Sequence, residues 1–287
     1  MSCAPAAGSV SRFSAATRGN SVRRGLTLLE LVIVIGILAA LAAMVVPQIG
    51  MLGRSTDMAA SAKTQSDLAN NVQLFFQLQK RYPQGLDSLL DSTGAIYASD
   101  TSNADTQTRG LPYAGADGTR LHAQLAVASL DNSSGEYLRS LTRSGFDWVY
   151  DHSTAVGVNA NNSATVFRGL VADANGTGNA APSSANVAEL TGTALLAKLV
   201  PGGLKSDERV VAFGFGPRNT AISKTVANCP CYPGCDGKYY GRYVLYFRIY
   251  ASGERATLVG VSDSYGRTPD YTQQQYNESL PNGSRQG

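Results

Sequence analysis

Histidine and tryptophan are scarce: His122, His152 and a single tryptophan in 287 residues. The sequence has no H-E-x-x-H and no G-x-S-x-G, and Tyr232 stands where a phosphate-binding loop ending at Gly237 and Lys238 would need its first glycine. Catalysis is left without a motif. Cysteine is scarce too, with Cys3 near the start and the other three crowded into "CPCYPGC", Cys229 to Cys235. A disulfide framework would use more of them, spread more widely. Acidic residues are missing from the first 25 positions, which hold Arg12, Arg18, Arg23 and Arg24. The formal net charge of +3 therefore belongs to that tail, the rest is close to neutral, and no nucleic-acid partner is expected. Charge of either sign is missing from Leu31 to Gly53.

What fills that gap is leucine, isoleucine, valine and alanine. About 20 such residues at 1.5 Å each cover the roughly 30 Å hydrocarbon core of a bilayer, so the run predicts a membrane-spanning helix. The arginines all precede it, which places the tail in the cytoplasm and the remainder outside. A cleavable signal peptide, with "ALA" at Ala40 to Ala42 as its cut, would have a shorter apolar stretch and no acid. An uncleaved signal anchor accounts for the length and leaves Glu30 unexplained. A carboxylate deep in lipid costs about 2.5 to 3.5 kcal/mol on insertion scales and calls for a partner. A cut after Gly25 would supply one: the freed amino group of Leu26 would lie roughly 6 Å from Glu30 along a helix.

"RRG" followed by "LTLLE" resembles the cleavage signal of type IV pilins and of the pseudopilins of type II secretion systems, and the resemblance runs through the apolar helix to Pro47. It implies that a prepilin peptidase cuts after Gly25 and methylates the new amine of Leu26, and that subunits then pack their apolar helices into a filament. Glu30 would pair with the Leu26 amine of a neighbour and fix the axial register. Pro47, which removes a helical hydrogen bond, would mark a flexible stretch. The family usually has phenylalanine where this chain has Leu26. Gly36 with Ala40, and Ala39 with Ala43, are small pairs that either let helices approach closely or simply belong to an alanine-rich span.

Beyond Arg54, Leu68, Val72, Phe75 and Phe76 recur at helical spacing, and the helix is expected to reach about Lys80 with its apolar stripe on a globular head. "KRYPQGLDSLL", Lys80 to Leu90, resembles the major-pseudopilin pattern of a Tyr-Pro turn, a Gly-Leu pair and a short leucine-bearing helix. "SDTSNADTQTRG" near Ser99, and the polar stretch from Asn159 to Val187, read as surface loops or insertions. "FDWVYDH" reads as a strand and "TALLAKLV" as a short helix. "RVVAFGF", "GRYVLYFRIYA" and "ATLVGVS" read as strands, the last two forming a hairpin through "SGER".

The expected fold is α+β: a long N-terminal helix packed on a C-terminal antiparallel sheet, the pilin-like lollipop. Its segments are a leader at 1–25, a membrane or filament-core helix at 26–53, an amphipathic helix at 54–82, a head at 83–262 and a polar, loosely ordered tail at 263–287. Cys229, Cys231 and Cys235 suit a disulfide, with Cys235 bound to either of the others, or a metal site, or free thiols. No cofactor is expected. Major pseudopilins bind calcium near the C-terminus, and Asp263 and Asp270 are the weak candidates for that ion. The expected protein is not an enzyme. It is a pilin-like subunit of the bacterial inner membrane, then of a periplasmic or surface filament, whose partners are the peptidase, other subunits and an inner-membrane assembly platform. The alternative is an extracytoplasmic binding or enzymatic domain on an uncleaved anchor.

Overall fold

A computed structural model describes residues 28–91, 94–97, 111, 120–131, 135–152, 164–165, 184–231 and 240–270, and within them the side chains of 44–55 and of a few strand ends lie outside the description. The chain divides into two units, Met1–Gly50 and Met51–Gly287. Helix α1 runs Leu28–Gln79. Its helical assignment includes Pro47, whose side chain lies outside the described residues.

In the second unit the expected stripe is buried: Leu68, Val72 and Phe75 enter the core, with Ala69 and Phe76 packed against it. α1 stops where Lys80 turns to φ 58° and Tyr82 leads into Pro83, which bars a further helical turn. Tyr82 then closes the corner. Its ring lies 4.5 Å from Phe76 and 4.8 Å from Phe247, and its hydroxyl accepts the N–H of Leu258 at 3.0 Å.

The described strands are β1 (Leu86–Asp91), β2 (Leu125–Asp131), β3 (Val149–His152), β4 (Ala164–Thr165), β5 (Ser184–Leu190), β6 (Glu208–Gly214), β7 (Val244–Tyr250) and β8 (Thr257–Ser262). Helices α2 (Leu121–Gln124), α3 (Tyr137–Arg143) and α4 (Thr193–Leu199) complete the described elements. β6 is the axis of the sheet. One edge pairs antiparallel with β7 from Glu208↔Tyr250 to Gly214↔Val244, and the other is shared by β5 beside Ala212 and β1 beside Gly214. β7 pairs with β8, β5 with β2, and β1 with β3.

The sheet is covered on both faces. Val211, Phe213, Phe215, Leu245, Phe247 and Ile249 meet the α1 stripe and Leu138 and Leu141 of α3, while Val210, Ala212, Val244 and Tyr246 meet Leu121 of α2 and Leu195 of α4. Burial on both faces is why β6 and β7 read as nearly continuous apolar runs rather than alternating ones.

Four expectations are corrected. The sheet is mixed, because β3 runs parallel to β1. "GLDSLL" forms strand β1, not a short helix: Gly85 at φ 73° redirects the chain straight into the sheet. Ser184–Leu190, the end of the supposed polar insertion, is a full strand held by seven paired positions with β2. Ala185 and Val187 enter one core and Ala188 and Leu190 the other, a pattern obscured by the small-residue run before it. The head also continues past Ser262, since Asp263, Ser264 and Thr268 are buried.

Candidate functional site

Gly25 and Leu26 lie outside the described residues. Glu30 is solvent-exposed in the first turn of α1, where an acid complements the positive end of the helix dipole. The segment that follows is exposed and apolar on every side. Leu31, Val32, Ile33, Val34 and Ile35 are all roughly half exposed, and five successive positions at about 100° each go completely round a helix. Apart from its chain neighbours and the helix's own backbone, no described atom lies within 4 Å of a Cβ placed on Gly36. Such a surface has no polar face to present to water. Among the described residues, no helix is long and apolar enough to cross a membrane. The described apolar side chains, Leu28 to Ala43, rise about 24 Å, short of the roughly 30 Å required.

The head carries a buried polar cluster at the end of β6. The hydroxyl of Tyr240 donates to Asp87 Oδ2 at 2.7 Å, and the Arg242 guanidinium approaches the same oxygen at 3.8 Å. Burial first, and then the facing carboxylate, push the Tyr240 phenol well above its ordinary range. Room for this pair comes from two glycines. A Cβ on Gly214 would collide with Tyr240 Oη, and one on Gly216 with Asp87 Oδ1. The alternation Phe213-Gly214-Phe215-Gly216 thus puts rings on the α1 side and empty space on the other. Sequence reasoning missed this cluster. Its signals were the two glycines in an aromatic strand and one acid inside "GLDSLL".

Cys229 lies beside the cluster as a free thiol and donates to the carbonyl of Phe215 at 3.1 Å. Burial pushes its pKa up to about 11, which Arg242 opposes. Cys231 is disulfide-bonded to a partner outside the described residues, where Cys235 also lies. His122 is half-buried on α2 and burial lowers its pKa, while the side chain of His152 at the end of β3 lies outside the description.

The calcium candidates do not fit the ion. Asp263 Oδ1 accepts the N–H groups of Tyr265 at 3.0 Å and Arg267 at 2.9 Å, and Oδ2 accepts Arg267 Nε at 2.7 Å. Both oxygens are engaged, and a guanidinium occupies the side a cation would need. Asp270 is exposed, and Ser264 Oγ, buried without a hydrogen-bond partner, is one oxygen where calcium takes six to eight. Among the described residues no three His, Cys, Asp or Glu side chains are grouped to hold a metal. A cleft of about 610 Å³ lies between the end of α4 and β7, lined by Leu199, Lys205, Glu208, Arg248, Tyr250 and Val259. Within it Arg248 meets Glu208 at 3.6 Å.

Residues 20–46 match the family model described as the prokaryotic N-terminal methylation motif. The chain thus carries the prepilin motif of type IV pilins and pseudopilins, which supports a subunit processed at its N-terminus. Comparison with curated proteins and with solved structures gives no match.

Proposed function

We propose that the chain is a pilin-like structural subunit, made as a membrane-inserted precursor, cut after Gly25, methylated on Leu26, and assembled into a type II secretion pseudopilus or a related type IV filament. The observation that carries this is the methylation motif at residues 20–46 running directly into a helix whose described first half is apolar on all sides. A soluble head has no use for such a surface. A bilayer covers it first, and the equivalent helices of neighbouring subunits cover it afterwards, since either solvent is apolar.

Glu30 then works as a register pin. Inside a bundle of apolar helices an unpaired carboxylate costs several kcal/mol, which the free amine of a neighbour's Leu26 offsets only at one axial offset. The pairing selects an arrangement more than it adds strength, as a buried polar residue does in a coiled coil. Assembly needs no catalytic group on this chain, and its partners are the prepilin peptidase, further subunits and an assembly platform. Only the Tyr-Pro turn and the Gly-Leu pair of "KRYPQGLDSLL" are left in favour of the secretion pseudopilus, since Leu86–Asp91 is a strand.

Co-expression with a prepilin peptidase, followed by intact-mass and N-terminal analysis, tests the reading. A product starting at methylated Leu26 is expected. A product that retains Met1 or starts near Ala42 refutes it and supports a plain anchor. Glu30→Gln should be processed normally and fail to polymerise.

A further inference from the structure

The loop after β8 closes on itself and on α2. The N–H of Asp263 donates to the carbonyl of Arg267 at 3.1 Å, and that of Gly266 to the carbonyl of Asp263 at 3.0 Å. The Asp263 side chain is 1% exposed and that of Arg267 33%. The Arg267 guanidinium lies 4.9 Å from the centre of the Tyr265 ring, and Arg120, just before α2, lies 5.9 Å from that ring. A Cβ on Gly266 would touch Leu121 and Gln124 of α2 at ordinary contact distance. On the other side the loop adjoins Tyr243, whose hydroxyl donates to Ser61 of α1 at 3.4 Å and which feels the charges of both Asp263 and Arg267. A nearly inaccessible carboxylate sits at the end of β8 in a loop that packs on α2, near the Tyr243 that hydrogen-bonds to α1.

Burial raises the Asp263 pKa, and the cation that opposes this most lies four residues away in the same chain. We infer that Arg267 is the built-in counter-ion of the C-terminal loop: its guanidinium takes the place beside Asp263 that a divalent ion would need, so the head closes this loop on α2 without calcium. The geometry favours arginine over an exchangeable ion. Nε meets Oδ2 while the backbone N–H of the same residue meets Oδ1, so one residue satisfies both oxygens, and the planar group stacks on Tyr265. Salt or chelators cannot remove such a cation. The inference concerns the head alone and stands whether or not the N-terminus is processed as proposed.

Thermal unfolding of the full chain in detergent tests it, with millimolar calcium and with a chelator. The wild-type Tm should be the same in both, and a rise with calcium would overturn the inference. Arg267→Gln strands the carboxylate and should lower Tm by roughly 10 °C. Asp263→Asn with Arg267→Gln removes both charges and should recover most of that loss. A double variant no more stable than Arg267→Gln would show that the arginine acts by packing and overturn the assignment. Should Arg267→Gln fail to fold, Arg267→Lys, which retains the charge without the fork, must fold with a smaller loss, or the inference fails.

Discussion

Replacing Asp87 with alanine should destabilise the head by about 3 kcal/mol. The fully buried Tyr240 hydroxyl loses its acceptor and is left unsatisfied, which costs about 1 to 3 kcal/mol. Arg242 is a quarter exposed and keeps access to water, so losing its 3.8 Å contact adds at most about 1 kcal/mol. Chemical denaturation of the full chain in detergent, followed by aromatic fluorescence, measures the sum. The sharper readout is a double-mutant cycle. Tyr240→Phe alone removes a hydrogen bond to a buried carboxylate and should cost about 2 kcal/mol, yet in the Asp87→Ala background it removes an orphaned hydroxyl and should cost nothing or stabilise. The two losses should therefore fall short of additivity by about 2 kcal/mol. If they add within about 0.5 kcal/mol, the pair is not coupled and the account of Gly214 and Gly216 as the space for it fails.

Gly85→Ala should cost about 2 kcal/mol or more by the same denaturation assay, because φ is 73° and the new Cβ would lie 2.7 Å from the Arg218 carbonyl and 2.9 Å from Trp148. With a pKa of about 11, Cys229 is ionised to roughly one part in a thousand at pH 8, so its alkylation in the folded protein should run on the order of a hundredfold slower than in denaturant, as timed mass spectrometry will show. Because burial lowers the folded pKa of His122, its contribution is present above about pH 6.5 and is lost as pH falls through the folded value. His122→Gln should therefore lose less stability than wild type between pH 7.5 and pH 5, compared by denaturant midpoints.

Legibility in the sequence followed the kind of force at work. The second half of α1, α4, β6, β7 and β8 were readable because apolar burial leaves a periodic or continuous pattern: Leu68, Val72 and Phe75 fall on one helical face, and the β6 and β7 runs are buried on both faces. β5 was missed because its core positions are small, Ala185 and Ala188 flanking Val187, and small residues resemble a loop. The parallel pairing of β1 with β3 is a contact across about sixty residues that no local pattern encodes. The polar interior was least legible. Asp87 lies 153 residues from Tyr240 and its near neighbour Arg242, and Asp263 looked like a free ligand because the arginine that occupies it is an ordinary surface residue type in sequence.

Helix α1 carries two different solutions to one problem. From Leu68 to Phe76 the buried residues Leu68, Val72 and Phe75 form a stripe that the chain's own sheet covers, while Leu74 faces outward. From Leu28 to Ala43 the apolar residues go all the way round, and no single sheet can cover a full cylinder. Uncovered, about ten large side chains at half exposure forfeit on the order of 10 kcal/mol of burial, comparable to the whole stability of a domain. Among the described residues nothing covers this cylinder on every side. On the proposed function, a bilayer would do that for one subunit and a helical stack for many, so transfer between the two would be nearly neutral in apolar burial and the carboxylate of Glu30 would be left to decide how the stack is registered.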